Sequence, residues 1–209
     1  MFTATLSHEA QEALVLLGRS GLVKDAYLAG GSALALHYGH RISIDLDFFS
    51  TTPFTPSNLE KNLKGIGEFH TTFAKGITLM GEFNSVKFSY FQYDYPLIAK
   101  TTELFDVPIA HPHDIAAMKL VAITDRSTKK DFVDLYELTR QGISLEQMFE
   151  LYQQKYQALG ENKYTLVRAL CYFDEIDQSA MPEMLTALTW DQVKQFFINE
   201  SMRLAKAML

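Results

Sequence analysis

Two carboxylates two positions apart, Asp45 and Asp47, stand in the stretch "RISIDLDFFS". On a strand, residues i and i+2 point to the same face, so both side chains converge on one place. Like charges held that close resist joint ionisation unless a cation lies between them. Hard oxygen donors on a rigid element suit Mg²⁺, which is commonly held by one or two carboxylates plus substrate phosphates. Upstream, Gly30-Gly31-Ser32 falls where a strand should give way to a helix. The free amides and the positive dipole end of such a helix form an anion site, and glycine lets a phosphate approach closely. A phosphate cradle facing a metal-binding carboxylate pair is what phosphoryl or nucleotidyl transfer requires. Each motif alone also reads as ordinary structure, because D-x-D is common and Ser32 is a good N-cap. Their order, strand then G-G-S then helix then D-x-D strand, implies neighbouring elements that share one edge of a sheet.

Those elements follow from periodicity. Residues 7–20 read as a helix capped by Ser7, and Ala26–Ala29 as a short buried strand. Ser32 is expected to cap a helix over Ala33–Tyr38 that Gly39 stops, and Ile42–Phe49 to form one strand around both aspartates. A loop over 51–57 leads to a helix near 57–65. Between Phe69 and Ile98, aromatic and β-branched segments separated by Gly76, Gly81 and Asn84 carry a β-meander signature. After Pro108 the pattern turns helical, near 112–140, 144–158, 161–175, 181–187 and 189–208, with breaks at Gly142, Gly160 and Pro182. The expected class is α+β: an α/β domain over 1–108 and an all-α helical domain over 109–209.

A second group of chemistry-bearing residues lies in "MKLVAITDRSTKKDFVDLYEL". On one continuous helix Lys119, Arg126 and Lys130 fall on a single face, a cationic stripe able to hold nucleotide phosphates or pyrophosphate. Two local readings compete with it. Thr128-x-x-Asp131 has the form of a capping box, which would break the helix after Arg126. A solvated face with i,i+4 ion pairs would look the same.

The stretch from Gly30-Gly31-Ser32 through His40-Arg41-x-Ser43-x-Asp45-Leu46-Asp47-Phe48-Phe49 resembles the AbiEii/AbiGii toxin branch of the nucleotidyltransferase superfamily. The run Lys119-x6-Arg126-x3-Lys130-Asp131-x2-Asp134-Leu135 is similar to the second motif of that family. The resemblance implies a fold like the catalytic domain of DNA polymerase beta, a mixed sheet flanked by helices, followed by a C-terminal helical bundle. It implies a metal-dependent transfer of a nucleoside monophosphate from a nucleoside triphosphate to an acceptor, with the 3′ end of tRNA the first acceptor to consider. Asp45 and Asp47 would then be catalytic and hold Mg²⁺, in a two-metal arrangement or with Mn²⁺ in its place. Gly30, Gly31, Ser32, Arg126 and Lys130 would bind the nucleotide, and Lys119 and Asp131 would be catalytic or substrate-positioning. The same likeness implies a toxin of a type IV toxin–antitoxin or phage-defence system, with a separate antitoxin protein as partner.

Enzymes of that superfamily usually carry a third carboxylate on a neighbouring strand. The matching strand here, Val86–Tyr93, has no acid in its middle, and Ser89 stands where one is expected. Asp131, or secondarily Asp134, is expected to substitute. Without such an acid the alternative is a non-catalytic nucleotide- or partner-binding module of the same fold. A protein side chain or a small molecule as acceptor also stays open.

Composition narrows the classes. Lys and Arg number 19 against 25 Asp and Glu, a formal charge of −6 that argues against a surface built to wrap duplex DNA. No membrane span or secretory signal is expected, and the single Cys171 points to a reducing compartment, hence to the cytoplasm. His111-Pro112-His113 reads as a loop before a helix rather than a metal pair, and the aromatics of "SYFQYDYPL" as strand packing rather than a base-stacking surface.

Overall fold

The computed structural model describes residues 1–174 and 176–207, divided into two compact units, Met1–His111 and Pro112–Leu209. In the first, the Ser7 side chain accepts from the Ala10 amide and opens α1 (His8–Ser20), which closes on left-handed Gly21. Strand β1 (Tyr27–Leu28) runs directly into α2 (Gly30–Tyr38), and β2 (Leu46–Ser50) follows. Pro at its first turn starts α3 (Pro56–Ile66), whose Leu59 and Leu63 are buried. The expected meander is β3 (Phe69–Lys75), β4 (Thr78–Phe83) and β5 (Val86–Gln92), joined antiparallel. Asn84 and Ser85 both have positive φ at the second turn, the conformation that tight hairpins favour. A last hairpin, β6 (Thr102–Leu104) and β7 (Val107–Ile109), completes the unit.

Among the described residues these strands make one seven-stranded sheet in the order β3-β4-β5-β2-β1-β7-β6. It is mixed: β2 pairs parallel with β5 and antiparallel with β1, which in turn runs parallel to β7. On β2 burial alternates, with Leu46, Phe48 and Ser50 inside and Asp47 and Phe49 half-buried on the opposite face.

The second unit is helical: α4 (Pro112–Asp125), α5 (Lys129–Arg140), α6 (Leu145–Tyr156), α7 (Leu159–Ala169) and α8 (Trp190–Lys206). Reciprocal capping boxes, Ser144 with Gln147 and Thr189 with Gln192, start α6 and α8. Its core includes Phe132, whose ring meets those of Phe173, Trp190 and Phe197 at 5.0 to 6.0 Å. No helix among the described residues is long and apolar enough to cross a membrane.

Five expectations are corrected. Helix α2 begins at Gly30 with Ala29 as N-cap, so Ser32 lies inside its first turn. The strand around the aspartates begins at Leu46, not Ile42, because the Asp45 carbonyl accepts from Ser32 Oγ instead of from a ladder partner. The expected helix over 112–140 is two: Ser127 turns to φ 39 and its hydroxyl bonds the Ile123 carbonyl, closing α4 before Thr128 caps α5. Residues 181–187 form no helix; Pro182 lacks an amide donor and restricts the residue before it. Helix α7 ends at Ala169, short of the expected 175, and residues 175 and 208 of the expected spans lie outside the described residues.

Candidate active site

In the first unit, the glycine turn meets the Asp47 carboxylate and the Asp45 backbone. Gly30 has φ +66, and a Cβ there would stand 3.3 Å from Asp47 Oδ2. The turn is thus left-handed and pressed against the Asp47 carboxylate, and glycine satisfies both demands. The Ala29 amide donates to the Asp47 carbonyl at 3.0 Å, locking the end of β1 to β2. Ser32, buried, donates to the Asp45 carbonyl and shares a 2.9 Å hydrogen bond with Ser43 Oγ. Its hydroxyl therefore fixes the residue that carries one carboxylate. Within α2 the Ala33 amide is the first to bond back, to the Ala29 carbonyl at 3.4 Å, so Gly30, Gly31 and Ser32 present the amides that a helix leaves without an intrahelical acceptor.

Arg41 adds a fixed positive charge. Its side chain is buried, Nη1 donates to the Ile42 carbonyl at 3.0 Å, and Nη2 lies where a Cβ on Gly31 would come within 2.1 Å. Gly31 is required by this close approach. Replacing Gly30 by Ala is expected to lower stability by about 1–2 kcal/mol, the cost of a left-handed Cβ, and to displace the Asp47 carboxylate. Urea unfolding and the transfer assay below measure the two effects. Unchanged activity in a folded Gly30→Ala variant would separate the turn from the site.

Asp47 is in register with Ser89 on β5, and Phe49 with Phe91. The serine thus stands beside one carboxylate on the parallel neighbour, buried at 2% exposure. No hydrogen bond or ion pair engages the Asp47 carboxylate among the described residues, which gather no group of three His, Cys, Asp or Glu side chains for a metal ion. Beyond Asp47 on the same face the aromatics pack on one another: Phe49 lies 5.3 Å from both Phe91 and Tyr93, and Tyr93 lies 5.0 Å from Tyr95.

The residues of the second motif meet in the helical unit. Lys119, 3% exposed, donates from Nζ to Asp131 Oδ1 at 2.8 Å and contacts Asp134 Oδ2 at 2.6 Å; both carboxylates are fully buried. Arg126 reaches Asp131 Oδ1 at 3.2 Å through Nη2, and Thr128 Oγ1 donates to Asp131 Oδ2 at 2.6 Å. Burial alone would raise the Asp131 pKa, but the charges of Lys119 and Arg126 and the hydrogen bonds from Lys119 and Thr128 outweigh it. They hold the carboxyl well below its usual range. The single-face stripe dissolves: Lys119 is an internal clasp between α4 and α5, Arg126 lies in the break, and Lys130 is half-buried in the first turn of α5. Thr128 spends its hydroxyl on the Asp131 carboxylate, so the capping box is not reciprocal. A second buried pair, Lys155 with Asp114 at 2.7 Å, ties α6 to α4; nothing in its local spacing announces it, since the partners are distant in sequence.

The model of the family described as nucleotidyl transferase AbiEii toxin, type IV toxin–antitoxin system, matches residues 12–207. The uncharacterized protein aq_aa25 of Aquifex aeolicus is 34% identical over 197 residues, spanning 92% of this chain and 94% of that protein. Among solved structures, JHP933 from Helicobacter pylori superposes with TM-score 0.58 at 19% identity, covering 97% of this chain and 94% of that one. MenT4, the nucleotidyltransferase toxin Rv2826c from Mycobacterium tuberculosis H37Rv, superposes with TM-score 0.54 at 14% identity over 95% of this chain and 89% of its own. At these identities the two structures establish a shared α+β fold.

Proposed function

Because the chain belongs to the AbiEii nucleotidyltransferase toxin family of type IV toxin–antitoxin systems, we propose that it transfers a nucleoside monophosphate from a nucleoside triphosphate to an RNA hydroxyl, the 3′ end of tRNA first among acceptors. The supporting observation is the junction of α2 with β2, where left-handed Gly30 abuts the Asp47 carboxylate and Ser32 anchors Asp45. The donor set suits a hard divalent ion: two carboxylates at the start of β2, Asp45 just before it and Asp47 within it, the latter with no cationic partner among the described residues. Mg²⁺, or Mn²⁺ in its place, would be held by Asp45 and Asp47 and would offset the charge of the triphosphate.

The remaining work falls to the chain itself. The amides of Gly30, Gly31 and Ser32, at the positive end of α2, take phosphate oxygens. The Ser32 hydroxyl, committed to Asp45, positions a carboxylate rather than contacting phosphate. The acceptor oxygen bonds to the α-phosphorus as the bond from that phosphorus to pyrophosphate breaks, and the acceptor proton passes to solvent. Such a reaction rests on alignment and charge more than on a strong base, which accommodates Ser89 at the third-acid place. Asp131, held ionised by Lys119 and Arg126, is a weak proton acceptor at neutral pH. It and Lys119 serve as positioning residues that hold Arg126, which with Lys130 contacts phosphates. As a toxin the protein would be silenced by a separate antitoxin protein.

Incubation with each labelled nucleoside triphosphate, Mg²⁺ and total tRNA tests the reading: label in RNA is expected with the wild type. Label in protein or small molecules instead would change the acceptor, and nucleotide binding without transfer to anything would leave a binding module. Ser89→Asp gives a further expectation. A third carboxylate in register with Asp47 should lower the Mn²⁺ concentration needed for half-maximal nucleotide binding, measured by calorimetry, at a cost in stability from burying a charge.

A further inference from the structure

Outside the motifs, Tyr164, Thr165, Arg168 and Tyr172 recur at helical spacing along one side of α7 and the turn after it. With the end of α4, including Arg126, they line an open groove of about 430 Å³ within the helical unit. The side is unusual for an outer helix face: Tyr164 is 70% exposed and Tyr172 50%, while Leu166, Val167 and Leu170 opposite are buried. Arg168 is exposed and makes no ion pair among the described residues. The Arg126 side chain is 59% exposed, yet its guanidinium is oriented by the buried Asp131 at 3.2 Å. Asp125 is the one acid among the lining residues.

We infer that this groove binds a single-stranded RNA segment, its tyrosines stacking on bases and the Arg168 guanidinium holding a backbone phosphate. Exposed aromatic rings interleaved with cations are the combination that single strands use, because every base offers a π-face and every linkage a charge. The volume lies within the range of small-ligand sites, so the groove holds about one nucleotide at a time. Among the lining residues two guanidiniums stand against one carboxylate, with Arg126 shared with the buried Asp131 behind it. A protein-binding patch would have an apolar centre, and here Ile123 and Ala169 are the aliphatic lining residues. The proposal rests on the transfer reading for the choice of RNA, and gives the acceptor a subsite on α7.

The test is anisotropy of a short labelled single-stranded RNA across a salt series, with the full chain, Tyr164→Ala, Arg168→Gln and Asp47→Ala. Tyr164→Ala is expected to weaken binding about tenfold or more. Arg168→Gln should flatten the slope of log affinity against log salt by about 0.7. Asp47→Ala should leave RNA affinity unchanged while weakening binding of Mg²⁺–nucleotide, measured by calorimetry. Both groove residues are exposed, so their variants keep the wild-type circular dichroism and melting temperature. Unchanged RNA affinity and salt slope in both variants overturns the proposal. So does equal competition by free mononucleotide and by unlabelled RNA, which makes the groove a nucleotide site. So does loss of binding to the purified antitoxin with RNA affinity intact, which makes it a protein surface. RNA binding that depends on the groove in a protein that transfers nothing would uphold the groove and refute the transfer reading.

Discussion

Asp47→Asn is expected to lower nucleotide transfer at least about a thousandfold while the protein stays folded. The size follows from charge. A divalent ion at a phosphoryl centre supplies several kcal/mol of stabilisation, and each 1.36 kcal/mol is about a factor of ten in rate. Asparagine keeps the shape of the side chain and removes the anionic ligand, so ion binding falls with little change in packing. Stability should move by less than about 0.5 kcal/mol, the range of surface-like substitutions, because no ion pair or hydrogen bond of the Asp47 carboxylate is lost. Asp45→Asn should have a similar kinetic effect. Its backbone carbonyl, which Ser32 holds, is untouched by the change. The readouts are initial rates of label incorporation at saturating Mg²⁺, calorimetric binding of a non-hydrolysable nucleotide, and thermal melting. An Asp47→Asn variant that transfers at the wild-type rate would remove the carboxylate pair from the chemistry.

What the residues disclosed, and what they withheld, divides by range. The period-2 alternation Leu46-Asp47-Phe48-Phe49-Ser50 is local, and the strand it announces is present with Leu46, Phe48 and Ser50 on the buried side and Asp47 and Phe49 on the other. Ser7 and the meander turns were legible for the same reason, each being settled by a few adjacent residues. A break in the helix was visible after Arg126 as a competing reading through Thr128, and α4 ends one residue earlier, at Asp125. Ser32 was misread because N-capping is a local rule, while the acceptor its hydroxyl found, the Asp45 carbonyl, lies thirteen residues on. The register of Asp47 with Ser89 required the parallel pairing of β2 with β5, which strand order suggests and only the sheet fixes. The burial of Lys119 was the least legible feature. A lysine in a charged run looks solvated, and burial of its ammonium between two carboxylates depends on how α4 and α5 cross. The exposed side of α7 was equally silent: helical spacing alone does not say which side of a helix faces water, and here Tyr164 and Tyr172 do.

Lys119→Met should destabilise the protein by about 3–5 kcal/mol, because it strips a cation from two buried carboxylates at once. Methionine preserves the length and apolar stem, so the loss measures charge rather than volume. Acid should reveal the same cluster. Asp131 has a folded pKa below the unfolded value of about 3.9, so its contribution is fully present above that value and fades as pH falls toward the folded one. Asp131→Asn removes that contribution. The wild-type advantage over it in urea unfolding should be constant from pH 7 to about 5 and shrink below about pH 4. The neutral triple replacement Lys119→Met, Asp131→Asn, Asp134→Leu separates support from function. Replacing a whole buried ion cluster with uncharged residues is often neutral or stabilising, so the triple variant should recover most of what Lys119→Met loses. Arg126, deprived of the carboxylate that orients it at 3.2 Å, should still leave transfer impaired, as a raised KM for the nucleotide more than a lowered kcat. Full activity in a stable triple variant would make the second motif a structural clasp alone.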